Sequence, residues 1–140
     1  MKAILPKQHS LRARAARALL WAGVAVGGLV LLMFVAWLAV RQIATYAGRE
    51  LDSVTSDGGG CALNTYTRRY SAAGVAGRIA SLFGSSYYYR VYSRDGELLA
   101  TSEWTIWKRE SGGDMAAHWI NGTAIYPGDG WEGWRLPQCN

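Results

Sequence analysis

Acidic residues are missing from the opening stretch of the chain: no Asp or Glu precedes Glu50, whereas Lys2, Lys7, Arg12, Arg14 and Arg17 all fall within its first seventeen residues. This one asymmetry explains the formal net charge of +5. From Gln42 onward there are nine Lys plus Arg against ten Asp plus Glu, so the remainder is close to neutral. A basic surface able to track a phosphate backbone is thereby excluded, and no nucleic-acid partner is expected.

Charge and proline are also absent from residues 19–40 (LLWAGVAVGGLVLLMFVAWLAV), a run of 22 residues. At about 1.5 Å per residue a helix of that length covers roughly 33 Å, against about 30 Å of bilayer hydrocarbon. Backbone groups in lipid must bond within the segment, so a transmembrane helix is expected. Trp21 and Trp37 stand near its ends, where amphipathic rings favour the headgroup boundary. A cleaved signal peptide has a basic start too, but its apolar region is about 7–15 residues. The best small-residue cleavage site, Thr45-Tyr46-Ala47 before Gly48, is weak. The run therefore reads as an uncleaved signal anchor. Five basic residues before it outnumber Arg41 and Arg49 after it, which places the arm, 1–18, in the cytoplasm and the C-terminus outside. Gly23 and Gly27 form a GxxxG pattern that would let two such helices approach closely, a route to a homodimer.

Cysteine is scarce as well. Cys61 and Cys139 are the only two, both beyond the membrane segment, and an oxidising compartment would join them. The bond would tie down a C-terminus that otherwise frays. Unpaired thiols, or a pairing between chains, are the alternatives.

The outer region divides into a stalk with a Gly-rich linker, 41–60, and a small α+β domain, 61–140. Residues 41–52 are expected to continue the helix until Ser56-Asp57-Gly58-Gly59-Gly60 breaks it. In 71–83 (SAAGVAGRIASLF) Ala72, Val75, Ala76, Ile79, Leu82 and Phe83 recur at helical spacing, with Ser71 as N-cap and Gly84 as stop. Gly74, Gly77, Arg78 and Ser81 form the opposite side. Strand patterns come next. Tyr87–Tyr92 is aromatic and β-branched, and Asp95-Gly96 is a hairpin turn that sets Tyr92 opposite Leu99, Val91 opposite Ala100 and Arg90 opposite Thr101. One face then carries Tyr89, Val91, Leu98, Ala100, Trp104 and Ile106 and should pack on the helix. The other carries Tyr88, Arg90, Thr101 and Glu103, with Arg90 and Glu103 as diagonal neighbours. After a loop at 108–114, Asn121-Gly122 joins strands 116–120 and 123–126. The sum is one short helix and a four-stranded antiparallel meander, with 127–140 irregular or a short edge strand.

Catalytic and ligand-binding motifs are absent or incomplete. Gly128-Asp129-Gly130-Trp131-Glu132-Gly133 matches GxGxxG, but seven residues remain after it, so no βαβ unit can be built and nucleotide binding is rejected. His118 is the only histidine outside the basic arm, and there is no HExxH or Cys–His ligand set. No GxSxG occurs. Asp129 and Glu132 would serve as an acid and base pair only in an environment that perturbs them; loop carboxylates are ordinarily solvated. No metal, cofactor or enzymatic activity is expected. Asn121-Gly122-Thr123 matches a glycosylation sequon, but its Asn-Gly pair already has a turn explanation, and the Ala-, Gly- and Arg-rich composition points to a bacterium.

Aromatic residues are what the outer domain has in abundance: Trp104, Trp107, Trp119, Trp131 and Trp134 join many tyrosines. Some must build the core of so small a domain. Tyr88, Tyr92 and Trp107 fall on the face opposite it, and Trp131, Trp134 and Arg135 in the tail. Exposed Tyr, Trp and Arg make binding hot spots, so Tyr88, Arg90, Tyr92, Trp107, Trp131, Trp134 and Arg135 are the candidates for partner contact. The expected protein is a single-pass inner-membrane protein whose disulfide-closed periplasmic domain binds a protein partner. Its layout resembles, by analogy alone, that of small anchored immunity or superinfection-exclusion proteins. The alternatives are a structural subunit held by its membrane helix, or a cell-wall or sugar-binding module.

Overall fold

A computed structural model of the protein describes residues 7–106 and 116–140, with side chains from Arg14 onward. Trp107, the 108–114 loop and the first residues of the basic arm lie outside the described residues. The chain forms two compact units, one ending at Leu38 and the other comprising Ala39–Asn140.

The first element, α1, is a helix over Lys7–Tyr46. Its stretch Arg14–Tyr46 is long and apolar enough to cross a membrane. Forty residues rise about 60 Å, so the helix extends well past the 19–40 segment at both ends. Its last turns, from Ala39, belong to the second unit.

The helical stalk expected over 41–52 stops at Tyr46. Gly48 is the reason: a Cβ there would come within 2.7 Å of both the Thr45 carbonyl oxygen and the Tyr88 hydroxyl, so only glycine lets the chain turn so close to the sheet. The chain then enters a strand, β1 (Arg49–Thr55), paired antiparallel with β2 (Cys61–Thr67). Neither strand is marked by strong β-branched patterning. The largely polar RELDSVT and the mixed CALNTYT are held extended by cross-strand pairing, a tertiary effect that propensity does not register. The Gly-rich segment between them is a hairpin turn, with Gly59 at φ 67° and the Ser56 amide donating to the Cys61 carbonyl at 2.9 Å.

The 71–83 helix is also revised. A 3₁₀ turn, Tyr70–Ala73, precedes a shorter α2, Gly74–Ser81, and Ser71 lies inside the turn instead of capping the helix. The side facing the domain is the small one, with Gly77 and Ala80 buried. A Cβ on Gly77 would overlap the Tyr70 carbonyl, so backbone packs on backbone here.

Beyond α2 come β3 (Tyr87–Ser93) and β4 (Leu98–Thr101). β1 to β4 form one antiparallel sheet in chain order. The expected pairs Arg90–Thr101 and Val91–Ala100 are present, but an irregularity comes after them, and Tyr92 pairs with Leu98 instead of Leu99. The extra residue turns Leu99 onto the core and leaves Leu98 exposed. Trp104, expected on the apolar face, is exposed as well.

A second sheet contains β5 (His118–Ile120), β6 (Thr123–Pro127) and β7 (Trp131–Arg135), again antiparallel in order. Asn121 at φ 47° and Gly122 at φ 68° make the two-residue turn that their sequence predicts. The tail is thus a regular edge strand, closed by a 3₁₀ turn over Pro137–Cys139. The fold is α+β, as expected, but with two antiparallel sheets of four and three strands in place of one four-stranded meander.

The core lies between the sheets. Leu63, Tyr89 and Val91 of the first pack with Ala117, Trp119, Ala124 and Tyr126 of the second. The apolar face of β3 therefore packs on a sheet and not on the helix. The Trp119 indole N–H donates to the Val54 carbonyl at 2.9 Å, satisfying the one polar atom that burial of the ring would strand. The disulfide Cys61–Cys139 closes one end of this core, and both residues are buried.

Candidate functional site

Two groups of side chains rise above the general packing. The first is polar and buries much of what the sequence assigns to solvent. Tyr88, on the face of β3 opposite the core, is only 2% exposed. Its ring stacks on Tyr66 at 5.1 Å, its hydroxyl donates to the Thr45 carbonyl at 3.2 Å, and the guanidinium groups of Arg68 and Arg90 lie 5.0 and 5.2 Å from its centroid. Arg68 is buried too, yet its donors are met by Thr45 Oγ1 and by the carbonyls of Ser85, Tyr87 and Glu103 at 2.8 to 3.1 Å. Arg41, at the end of α1, donates to the carbonyls of Glu103 and Thr105, each at 3.0 Å.

Glu103 joins these groups. Its carbonyl oxygen accepts from Arg41 and Arg68, while its carboxylate accepts from Arg90 at 2.7 Å and from the Gln42 amide at 3.3 Å. The diagonal Arg90–Glu103 neighbours of the sequence are an ion pair. Burial pulls the Arg90 pKa down, but the Glu103 hydrogen bond, a Tyr92 hydroxyl and the nearby charge outweigh it and leave the group above its ordinary value. Burial pushes the Tyr66 phenol up to about 12, with the Glu50 carboxylate at 3.1 Å adding to the effect, and raises Tyr88 as well. Such a cluster, with each of its guanidinium groups bonded to an acceptor, fastens the end of α1 to the sheet. Of the candidate contact residues, Tyr88 is enclosed in it, and Arg90 and Tyr92 are half-buried at its margin.

The second group lies on the outer face of the three-stranded sheet. Alternation along the strands puts His118, Ile120, Thr123, Ile125, Trp131, Gly133 and Arg135 on the side away from the core. Trp131 is 55% exposed, and its ring makes a T-shaped contact with that of His118, the centroids 5.0 Å apart. Gly133, aligned with Ile125 and His118 across the sheet, leaves no room for a side chain of its own, since a Cβ would come within 2.8 Å of the Ala124 carbonyl oxygen. Ile120 and Arg135 are exposed in the next row, on either side of Thr123. The result is an apolar and aromatic platform with a cation at one border. Trp134 lies on the opposite face, its ring 4.4 Å from that of Tyr126, packed against the core. The alternating pattern around Asn121-Gly122 already signalled that His118, Ile120 and Ile125 share a face, although none of them was among the candidate contacts.

The remaining candidates are dispersed. Asp129 is exposed in the β6–β7 turn, where the Gly128 amide donates to the Gly130 carbonyl at 2.7 Å, so the GxGxxG residues build a hairpin. Glu132 accepts from the Tyr126 hydroxyl at 3.3 Å. Among the described residues no three His, Cys, Asp or Glu side chains converge as metal ligands. Gly23 and Gly27 have open space where a Cβ would lie. No protein-family model, curated protein or solved structure matches the chain, so its functional reading rests on its own residues.

Proposed function

We propose that the protein is a non-enzymatic binding protein, anchored in a bacterial inner membrane by α1, with a cytoplasmic arm and a periplasmic domain that holds a protein partner. The contact surface of this reading is the outer face of the three-stranded sheet, and its role is of the accessory, immunity or exclusion type. The observation that carries it is the Trp131–His118 pair, Trp131 exposed and His118 half-buried, on a sheet whose other face is core. Aromatic side chains fixed on a rigid element lose little conformational entropy on binding, and Ile120, Ile125 and Arg135 supply the apolar area and the charge that hot spots use. The anchor would tether the domain to the envelope, where such a partner would meet it.

The test is a photo-reactive amino acid at Ile120, irradiated in the native membrane. The expected result is one reproducible protein adduct, lost on Trp131→Ala or Arg135→Glu while the unfolding midpoint stays that of the parent. An adduct insensitive to both substitutions would remove the platform from the contact. Adducts with lipid or glycan alone would replace a protein partner with the envelope itself.

A further inference from the structure

The helix α2 presents the wrong side to the domain for a helix of its sequence. Val75, Ile79, Leu82 and Phe83, the stripe that helical spacing brings together, are 74, 58, 69 and 69% exposed. Gly77 and Ala80 make the domain contact instead. Four large apolar side chains in one exposed stripe are costly in water and mark a surface meant to be covered.

The place of the stripe in the fold identifies its cover. α2 lies in the connection between β2 and β3, which leaves the sheet at Thr67 and re-enters at Tyr87. That same edge of the sheet receives α1. The Arg69 amide donates to the Ala44 carbonyl at 2.9 Å, and Arg68 Nε donates to Thr45 Oγ1 at 3.1 Å. The hairpin turns at 56–60 and 94–97, and the disulfide, belong to the opposite edge. Ala44 comes four residues after Val40, the last residue of the uncharged run. Four residues rise roughly 6 Å, and the headgroup layer is about 5–7 Å thick on each side. The connection therefore leaves Ala44 at headgroup depth. Its charges agree: Arg69 and Arg78 are exposed, and no Asp or Glu occurs between Asp57 and Asp95. A short amphipathic helix with basic flanks and an unpartnered apolar stripe at that depth has the composition of an interfacial helix.

We propose that α2 lies in the membrane interface, with Val75, Ile79, Leu82 and Phe83 seated in the headgroup–acyl boundary of the bilayer that α1 crosses. The proposal rests on the membrane-spanning reading of α1. It gives the domain a second, non-covalent attachment that fixes its orientation on the bilayer surface.

Neither cysteine is free, so a single added thiol can be spin-labelled in the oxidised protein. Nitroxides at Ile79→Cys and Phe83→Cys would be compared with Asp57→Cys, at the far hairpin, and Val30→Cys, within α1. The full chain is reconstituted in vesicles of phosphatidylcholine containing phosphatidylglycerol. Collision with oxygen reports lipid, and collision with a water-soluble nickel chelate reports solvent. The expected result is an oxygen-to-nickel ratio several-fold higher at Ile79 and Phe83 than at Asp57. Labels at Ile79 and Phe83 that match Asp57, with Val30 deep in lipid, would overturn the interfacial helix and leave the anchor standing. Val30 reading as aqueous would overturn the anchor itself. Low collision with both reagents at Ile79 would mean that protein covers the stripe, which also defeats the proposal. Val75→Cys replaces either label site if a variant loses the near-ultraviolet dichroism of the parent.

Discussion

Removing the Glu103 carboxylate should be among the most damaging single changes to the domain that leaves its apolar core intact. The carboxylate is 8% exposed and the Arg90 side chain it holds is 25% exposed, so the pair lies between a buried and a surface ion pair. Breaking a buried pair costs about 3–5 kcal/mol and an exposed one contributes about 0.2–1 kcal/mol. Partial solvation of Arg90 lowers the upper figure, while loss of the Gln42 hydrogen bond adds to the lower. Glu103→Ala also leaves Arg90 and Arg68 over the same Tyr88 ring with no neighbouring anion between them. The expected loss is about 2–3 kcal/mol, or roughly 10–20 °C in Tm for a domain of this size. Glu103→Gln keeps an acceptor for Arg90 and should cost about half as much. The double variant Arg90→Met, Glu103→Leu removes both charges and should recover much of the loss, since an apolar pair carries no desolvation penalty. Urea unfolding of the full chain in detergent, followed by near-ultraviolet circular dichroism, reads the domain without interference from α1. If Glu103→Ala falls within about 0.5 kcal/mol of the parent, the carboxylate contacts to Arg90 and Gln42 do not stabilise the domain, and of the Glu103 contacts only the carbonyl bonds to Arg41 and Arg68 remain to secure the end of α1. Equal losses in Glu103→Ala and the double variant would assign the effect to packing and not to charge.

Joint replacement Cys61→Ala and Cys139→Ala should cost up to about 4.5 kcal/mol in the chain-entropy model, and hydrogen exchange should rise first in the Pro137–Cys139 turn and β7. Gly77→Ala should destabilise by about 1–3 kcal/mol, the reverse of its usual sign in a helix, because the new methyl group would overlap the Tyr70 carbonyl; an unchanged unfolding midpoint would refute that contact. Tyr66, pushed up to about 12, and Tyr88 hold their protons more tightly folded than unfolded. Their contribution to stability is therefore complete below about pH 10 and lost as pH rises toward 12, a decline in denaturation midpoint that Tyr66→Phe should reduce.

How far the sequence could be read depended on whether a signal was local. The uncharged run at 19–40, the Asn121-Gly122 and Asp95-Gly96 turns and the Arg90–Glu103 pair are each defined within one segment, and each has a counterpart in the structure; the disulfide, across 78 residues, was legible because there are only two cysteines to join. β1 and β2 escaped because β1 is largely polar and β2 places only Cys61 and Leu63 in the core, a signal too short to mark a strand before β1 pairs with β2 and β2 with β3. The helix at 71–83 was found by its stripe, but periodicity fixes which residues share a face and not which face turns inward. The choice was made by Gly77, whose lack of a side chain allows a backbone approach that Val75 or Ile79 could not match. The same limit applied to the tail. Alternation separates Trp131 from Trp134, yet which of them meets the core depends on a sheet whose partners are distant in sequence.

Arg41 shows why charge counting and folding must be considered together. As sequence it is a basic residue just past an apolar run, one of the few that would oppose the N-terminal basic arm in setting orientation. In the folded domain its guanidinium is 4% exposed and bonded to the Glu103 and Thr105 carbonyls. Desolvating a cation is expensive, and carbonyl acceptors offset the cost only when they are already in position. Arg68 supplies part of that preorganisation by binding the same Glu103 carbonyl from the β2–β3 connection. The end of α1, the start of the connection that carries α2, and β4's continuation thus share one acceptor. Rotation of the helix end would break Arg41, Thr45 and Ala44 contacts together, because these three lie on one helical face. If α2 is interfacial as proposed, the bonds of Arg68 and Arg69 to that face would fix the start of its connection, and Gly77 and Ala80 would hold the helix against the domain.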